Sequence, residues 1–127
     1  MEWSIDKEII QYIMDFSKEY YPGEFAALLR AKKVGDEEKR IYEVIFTPGL
    51  ISGKSSAIFN PLHIPHYFDV VGTVHSHPSS SAEPSSEDLH LFSSNPVNII
   101  VFYPFCDDCW KVYNYRGEEV EIKVNLK

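Results

Sequence analysis

The chain has 127 residues, 19 of them acidic against 12 lysines and arginines, so its formal net charge is −7. That length suits one domain, and an acidic balance disfavours a nucleic-acid partner, whose phosphates call for a basic surface. Hydrophobic residues at 44% and aromatic residues at 14% supply a packed core and exclude wholesale disorder.

The first residues lack the basic and apolar regions of a secretory signal, and no run approaches the roughly 18 apolar residues of a membrane span. The expectation is a soluble, cytoplasmic protein with no membrane association. Residues 4–20 predict an amphipathic helix, because Ile5, Ile9, Ile13, Phe16 and Tyr20 recur at spacings of three and four. Ser4 is the expected N-cap, with Asp6 and Glu8 in a first turn where the helix dipole favours negative charge. Pro22-Gly23 ends the element, and its apolar face is read as core or as part of a homodimer interface.

Extended structure follows. Residues 24–32 and 40–46 read as two strands joined by a polar turn, and residues 55–59 as a third short strand. Pro61 and Pro65 mark an irregular connection; His63 and His66 beside them are read as part of a solvated loop. Residues 70–77 form a strand closed by Pro78, and a serine-rich loop leads to Ser85 or Ser86, either of which would cap a short helix ending at Phe92 or Ser93. Residues 97–103 form an apolar run broken only by Asn98, which suits a buried strand. Residues 111–115 and 118–124 then read as a hairpin linked by Arg116-Gly117. The sum is a single α/β domain over residues 1–127: a mixed β-sheet, one long N-terminal helix and one or two short ones.

The segment that carries chemistry is His75-Ser76-His77-Pro78, followed by Ser85 and Asp88. Strand side chains alternate, so Val71, Thr73, His75 and His77 share a face, and the two imidazoles can meet at the strand's end. Pro78 turns the chain away, and the returning helix brings Asp88 back in its first turn. Two histidines and a carboxylate form a known catalytic zinc set with one position left for water. The plainer readings are two polar residues on a solvated face and a capping-box-like helix start at Ser85 and Asp88. The capping reading is compatible with the metal reading, since capping would fix Ser85 and Asp88 in place.

The series His75-Ser76-His77, seven residues, Ser85, two residues, Asp88 resembles the signature of the JAMM (MPN-plus) metalloproteases. That family also requires an upstream glutamate that opens a strand soon after the first helix, and Glu24 stands at that place. The resemblance covers nearly the whole chain and is closest to short, stand-alone archaeal members. It implies the MPN/JAB1, cytidine-deaminase-like fold, with His75, His77 and Asp88 as ligands of one Zn2+ ion. It implies Glu24 as general base and Ser85 as the hydroxyl that stabilises the oxyanion. The implied reaction is deubiquitinase-like: hydrolysis of the isopeptide bond between a ubiquitin-like modifier, sulfur-carrier-like in archaea, and a lysine. The partner would be the modifier's flexible C-terminal tail, added as a strand to an edge for which residues 51–59 are the candidate by analogy. No insertion comparable to that of linkage-specific eukaryotic members is present. Some prokaryotic relatives instead release an amino acid such as cysteine from a sulfur-carrier protein, and other members are non-catalytic scaffolds, against which the intact ligand set argues.

Cys106-Asp107-Asp108-Cys109 has CxxC spacing but lacks a thioredoxin-like context and further ligands nearby. It is read as a loop at a strand turn, holding free thiols or a disulfide. The Pro104-Phe105-Cys106 run resembles half of the zinc nucleoside deaminase motif, but no His-x-Glu half accompanies it.

Overall fold

The computed structural model describes residues 2–46, 51–52 and 69–126. Its first element is a strand, β1 (Glu2–Asp6), and the long helix α1 (Lys7–Tyr20) begins only after it. This corrects the helix start expected at Ser4. Glu2 to Ile5 pair in parallel with Glu38 to Ile41, and the buried Ser4 hydroxyl donates to Glu38 Oε2 at 2.6 Å. Asp6 takes the N-cap position, with no side-chain cap bond. Tertiary pairing has overridden a helical period that ran unbroken through the segment.

The hairpin is present as β2 (Glu24–Val34) and β3 (Glu38–Ile45), antiparallel, with Gly35 at φ 69° in the turn. A short strand, β4 (Ile51–Ser52), pairs antiparallel with Glu24 and Phe25. Next come β5 (Val70–His77), helix α2 (Ser86–Phe92) and β6 (Val97–Phe102). β5 pairs antiparallel with β2 and parallel with β6, and the parallel pair approaches so closely that a methyl on Gly72 would lie 1.5 Å from the Val97 carbonyl oxygen. The chain closes with β7 (Trp110–Tyr113), β8 (Glu119–Val120) and β9 (Lys123–Asn125).

The sheet order is β8-β7-β6-β5-β2-β3-β1-β9, so the expected strand over 118–124 is two strands on opposite edges. β8 completes the hairpin with β7, whereas β9 pairs in parallel with β1. From Val120 to Lys123 the chain can span at most roughly 11 Å. The two edges are therefore neighbours, and the sheet must curl almost onto itself.

Helix α1 fills the concave side. Ile10, Ile13 and Met14 pack among Ile5, Phe25, Leu29, Ile41, Ile99 and Val112 in the main core. Phe16 sets its ring edge-on to Phe25 at 4.9 Å. The buried Ser17 returns its hydroxyl to the Ile13 carbonyl at 2.7 Å, which satisfies the one buried polar side chain of the helix. On the other side of the sheet, α2 covers a smaller cluster of Ala82, Phe92, Ile100 and Tyr113. The result is the expected single-domain mixed α/β fold, with one long and one short helix among the described residues. No helix of these residues is long and apolar enough to cross a membrane. The expected strand 55–59, Pro61, His63, Pro65 and His66 lie outside the described residues.

Candidate metal centre

β5 spans the residues expected of it, and alternation places Thr73, His75 and His77 on the α2 side. His75 is buried, 4% exposed, with its ring 6.2 Å from that of Phe92. His77 sits at the strand's end, its Nδ1 3.0 Å from the Ser81 carbonyl. A carbonyl only accepts, so Nδ1 is assigned the proton, and in the neutral ring the Nε2 lone pair faces inward. That Nε2 lies 3.2 Å from His75 Nε2 and 3.3 Å from Asp88 Oδ2. His75 Nε2 lies 3.1 Å from Asp88 Oδ1.

Asp88 is aimed by the start of its own helix. Ser85 is the N-cap of α2: its Oγ accepts the Asp88 N–H at 3.1 Å, and its own N–H donates to Asp88 Oδ2 at 2.9 Å. The oxygen oriented by this capping box is the one that approaches His77, so cap and cluster are a single device. The helix is tied down at both ends. Before it, the Tyr113 hydroxyl donates to the Ala82 carbonyl at 2.7 Å. After it, the fully buried Asn98 donates its amide to the Asn95 carbonyl at 3.0 Å and accepts from the Thr73 hydroxyl at 2.8 Å. Sequence reasoning registered Asn98 only as an interruption in an apolar run. A buried amide needs partners, so that interruption was itself the signal of a polar anchor.

Glu24 opens β2 and is only 5% exposed. Ala26 pairs with His75, so extending the antiparallel register by two residues sets Glu24 across from His77. Ser76, a mere spacer in the sequence reading, is buried on the opposite face, where its Oγ accepts the Phe25 N–H at 3.0 Å. That bond continues the β2–β5 union past its last ladder pair and fixes Glu24 beside the histidines.

The charges are strongly coupled. Burial pushes the Glu24 carboxyl above the usual carboxylate range; the charge of His77 opposes this and that of Asp88 adds to it. Burial also bears most on His77, pulling it down. Hydrogen bonds to Asp88 and the Ser81 carbonyl, with the charges of Asp88 and Glu24, outweigh burial and leave the imidazole raised. At Asp88 burial acts upward, but hydrogen bonds from His75 and His77 hold the carboxyl far below its usual range.

The donor atoms of His75, His77 and Asp88 all lie within 4.8 Å of one another. The inward His77 lone pair and the Asp88 carboxylate repel unless a proton or a cation sits between them, and imidazole with carboxylate is a donor set that suits zinc. The buried Nδ1 of His75 has no hydrogen-bond partner among the described residues, where that ring's polar contacts are made at Nε2. The five residues singled out in sequence therefore fall at one place, where the three ligand candidates fit a single metal ion. Cys106 and Cys109 stand apart in the β6–β7 turn and are joined as a disulfide rather than left as free thiols.

Residues 6–113 match the family described as prokaryotic homologs of the JAB domain. A probable metalloprotease of Haloferax volcanii is 32% identical over 125 residues, which cover 94% of this chain and 78% of that relative. A solved structure described as JAMM, a metalloprotease-like zinc site in the proteasome and signalosome, is 36% identical over 98% of each chain, with a TM-score of 0.73. A JAB1/MPN domain protein from Archaeoglobus fulgidus is 36% identical over 97% of this chain and 96% of its own, with a TM-score of 0.71. With the curled sheet and the His-His-Asp cluster already in place, these matches make the chain a member of the prokaryotic JAB-domain family, of JAMM/MPN fold.

Proposed function

We propose that this protein is a cytoplasmic, zinc-dependent isopeptidase that cleaves the bond between the C-terminus of a ubiquitin-like modifier and a lysine of a target protein. The observation that carries the reading is the convergence of His75, His77 and Asp88 opposite a buried Glu24. Those three side chains would hold the zinc, which would supply a Lewis acid to acidify water and polarise an amide carbonyl. Glu24 takes the proton from the attacking water and delivers it to the leaving amine, which is a poor leaving group until protonated. Its raised proton affinity serves both halves of that task, because it must accept a proton and then give it up near neutral pH. The Ser85 Oγ is occupied as an acceptor by the Asp88 N–H, which leaves its hydroxyl proton to meet negative charge developing on the substrate oxygen.

The modifier tail is the part of the substrate that must reach this point in extended form. β4 pairs with Glu24 and Phe25, so a strand added there leads directly to the base. The test is hydrolysis of a modifier joined to a lysine side chain by protein carrying one zinc per chain. Glu24→Gln is expected to slow turnover about 10³-fold, within the range for loss of a general base. Absence of cleavage by the zinc-loaded protein, or an unchanged rate in Glu24→Gln, overturns the proposal.

A further inference from the structure

The turn between β6 and β7 is held more firmly than a surface connection requires, and it presents an aromatic ring to solvent. Tyr103 is 43% exposed and Tyr21 41% exposed, yet their rings stack with centroids 4.8 Å apart and 26° between planes. Phe105 is buried against them, its ring 6.1 Å from each and close to perpendicular to Tyr103. Its φ of 61° is in the left-handed region, which a bulky residue occupies only where its surroundings impose it. Backbone of that kind gathers at active sites and ligand clamps. The Cys106–Cys109 disulfide closes the same turn, and the Trp110 indole donates to the Asp107 carbonyl at 3.0 Å.

The stack is adjacent to the metal centre along the chain and across the sheet. The Tyr103 N–H donates to the carbonyls of His77 and Ser79 at 3.2 and 3.1 Å. Tyr21 precedes Glu24 by three residues. Strands β4, β2, β5 and β6 lie side by side in that order. β4 reaches Glu24 from one side, and the end of β6, where Tyr103 stands, lies on the other side of the histidines. Beyond Tyr103, inside the disulfide ring, the side chains of Asp107 and Asp108 are exposed.

We propose that Tyr21, Tyr103, Asp107 and Asp108 form the docking surface for the target side of the substrate, a basic, lysine-bearing segment. The inference rests on the hydrolysis proposed above, whose base donates its proton to the amine on that same side. Tyrosine faces attract lysine and arginine cations and pack against their methylene stems, and the two carboxylates add charge of the right sign. The net charge of −7 favours the same class of partner over a neutral or acidic one.

Two arms test the surface. In the first, one modifier is joined to a lysine of a basic protein and, separately, to a lysine within a short uncharged peptide. The double variant Tyr21→Ser/Tyr103→Ser is expected to raise KM for the protein conjugate about tenfold, and Asp107→Asn/Asp108→Asn about threefold, with the loss falling on KM rather than kcat and much smaller for the peptide conjugate. Zinc content and thermal midpoint establish that each variant is folded. KM values within twofold of wild type in both variants overturn the surface. The second arm measures binding of a lysine-rich peptide to zinc-loaded Glu24→Gln protein, which needs no turnover. If wild type cleaves nothing, the hydrolase reading fails alone: weaker peptide binding in the tyrosine and aspartate variants still supports the surface, and unchanged binding overturns it.

Discussion

Glu24 and Phe25 are neighbours on β2, both buried, and they face opposite sides of the sheet. Around Phe25 are the rings of Phe16, Tyr20 and Phe46 and the apolar face of α1. Around Glu24 are His75, His77 and Asp88, with Thr73 and Asn98 deeper on the same face. The concave side withdraws apolar area from water, the dominant favourable contribution to folding. The α2 side buries charge and polar groups, which costs free energy unless each finds a partner. One sheet thus separates the source of stability from the source of chemistry, and the alternation of a single strand is enough to do it.

That separation makes opposed predictions for adjacent residues. Glu24→Gln is expected to remove about 10³-fold of activity while leaving the thermal midpoint as high as in wild type or higher, since a buried carboxyl becomes a neutral isostere. Phe25→Ala is expected to cost about 3–5 kcal/mol of stability in urea denaturation, through lost burial and the cavity left behind. Its kcat per folded, zinc-loaded molecule should stay near wild type. A folded but inactive Phe25→Ala protein, or a Glu24→Gln protein as destabilised as Phe25→Ala, would break the division.

Ser76 tests the seam between the two faces. Its side chain lies on the Phe25 side, yet its bond to the Phe25 N–H holds Glu24 in position. Ser76→Ala leaves a buried N–H unpaired, at about 1–3 kcal/mol. It should lower kcat as well as stability, unlike Phe25→Ala. Retention of full kcat alongside the stability loss would confine Ser76 to the packing side.

How much of this was legible in sequence follows from distance along the chain. His75, His77, Ser85 and Asp88 belong to one strand end, one loop and one helix start, so strand alternation and capping chemistry were enough to bring them together. Glu24 meets them only through the pairing of β2 with β5, and its place was readable through the family signature rather than from its surroundings in sequence. β1 was missed because nothing local separates it from the helix that follows; its partner is β3. β8 and β9 were fused because two residues between strands look like continuity until the sheet curls and carries them to opposite edges. Ser76 acts through a hydrogen bond to Phe25, 51 residues away, which no window of sequence reveals, whereas Asn98 was visible as a polar residue in an apolar run but its bond to Thr73 was not.

The smallest effect expected is a pH shift, and it tests whether the two neighbours differ in charge as well as in packing. The His77 imidazole is held above its ordinary pKa: burial lowers it, but hydrogen bonds to Asp88 and Ser81 and the charges of Asp88 and Glu24 outweigh burial. A metal ion and that proton compete for the same Nε2 atom, so zinc affinity should fall as pH drops through the raised value, by about tenfold per unit once the imidazolium dominates. Asp88, held far below its usual range, contributes no proton there. Replacing Glu24 by glutamine removes a negative charge that favours the imidazolium. His77 should then protonate at lower pH, and the fall in zinc affinity should move to lower pH with it. Phe25→Ala leaves every charge in place and should leave the midpoint where it was. Chelator competition from about pH 5 to pH 8 reads all three proteins on one scale. A midpoint that moves with Phe25→Ala and not with Glu24→Gln would mean that packing, not charge, sets the proton affinity of the metal centre.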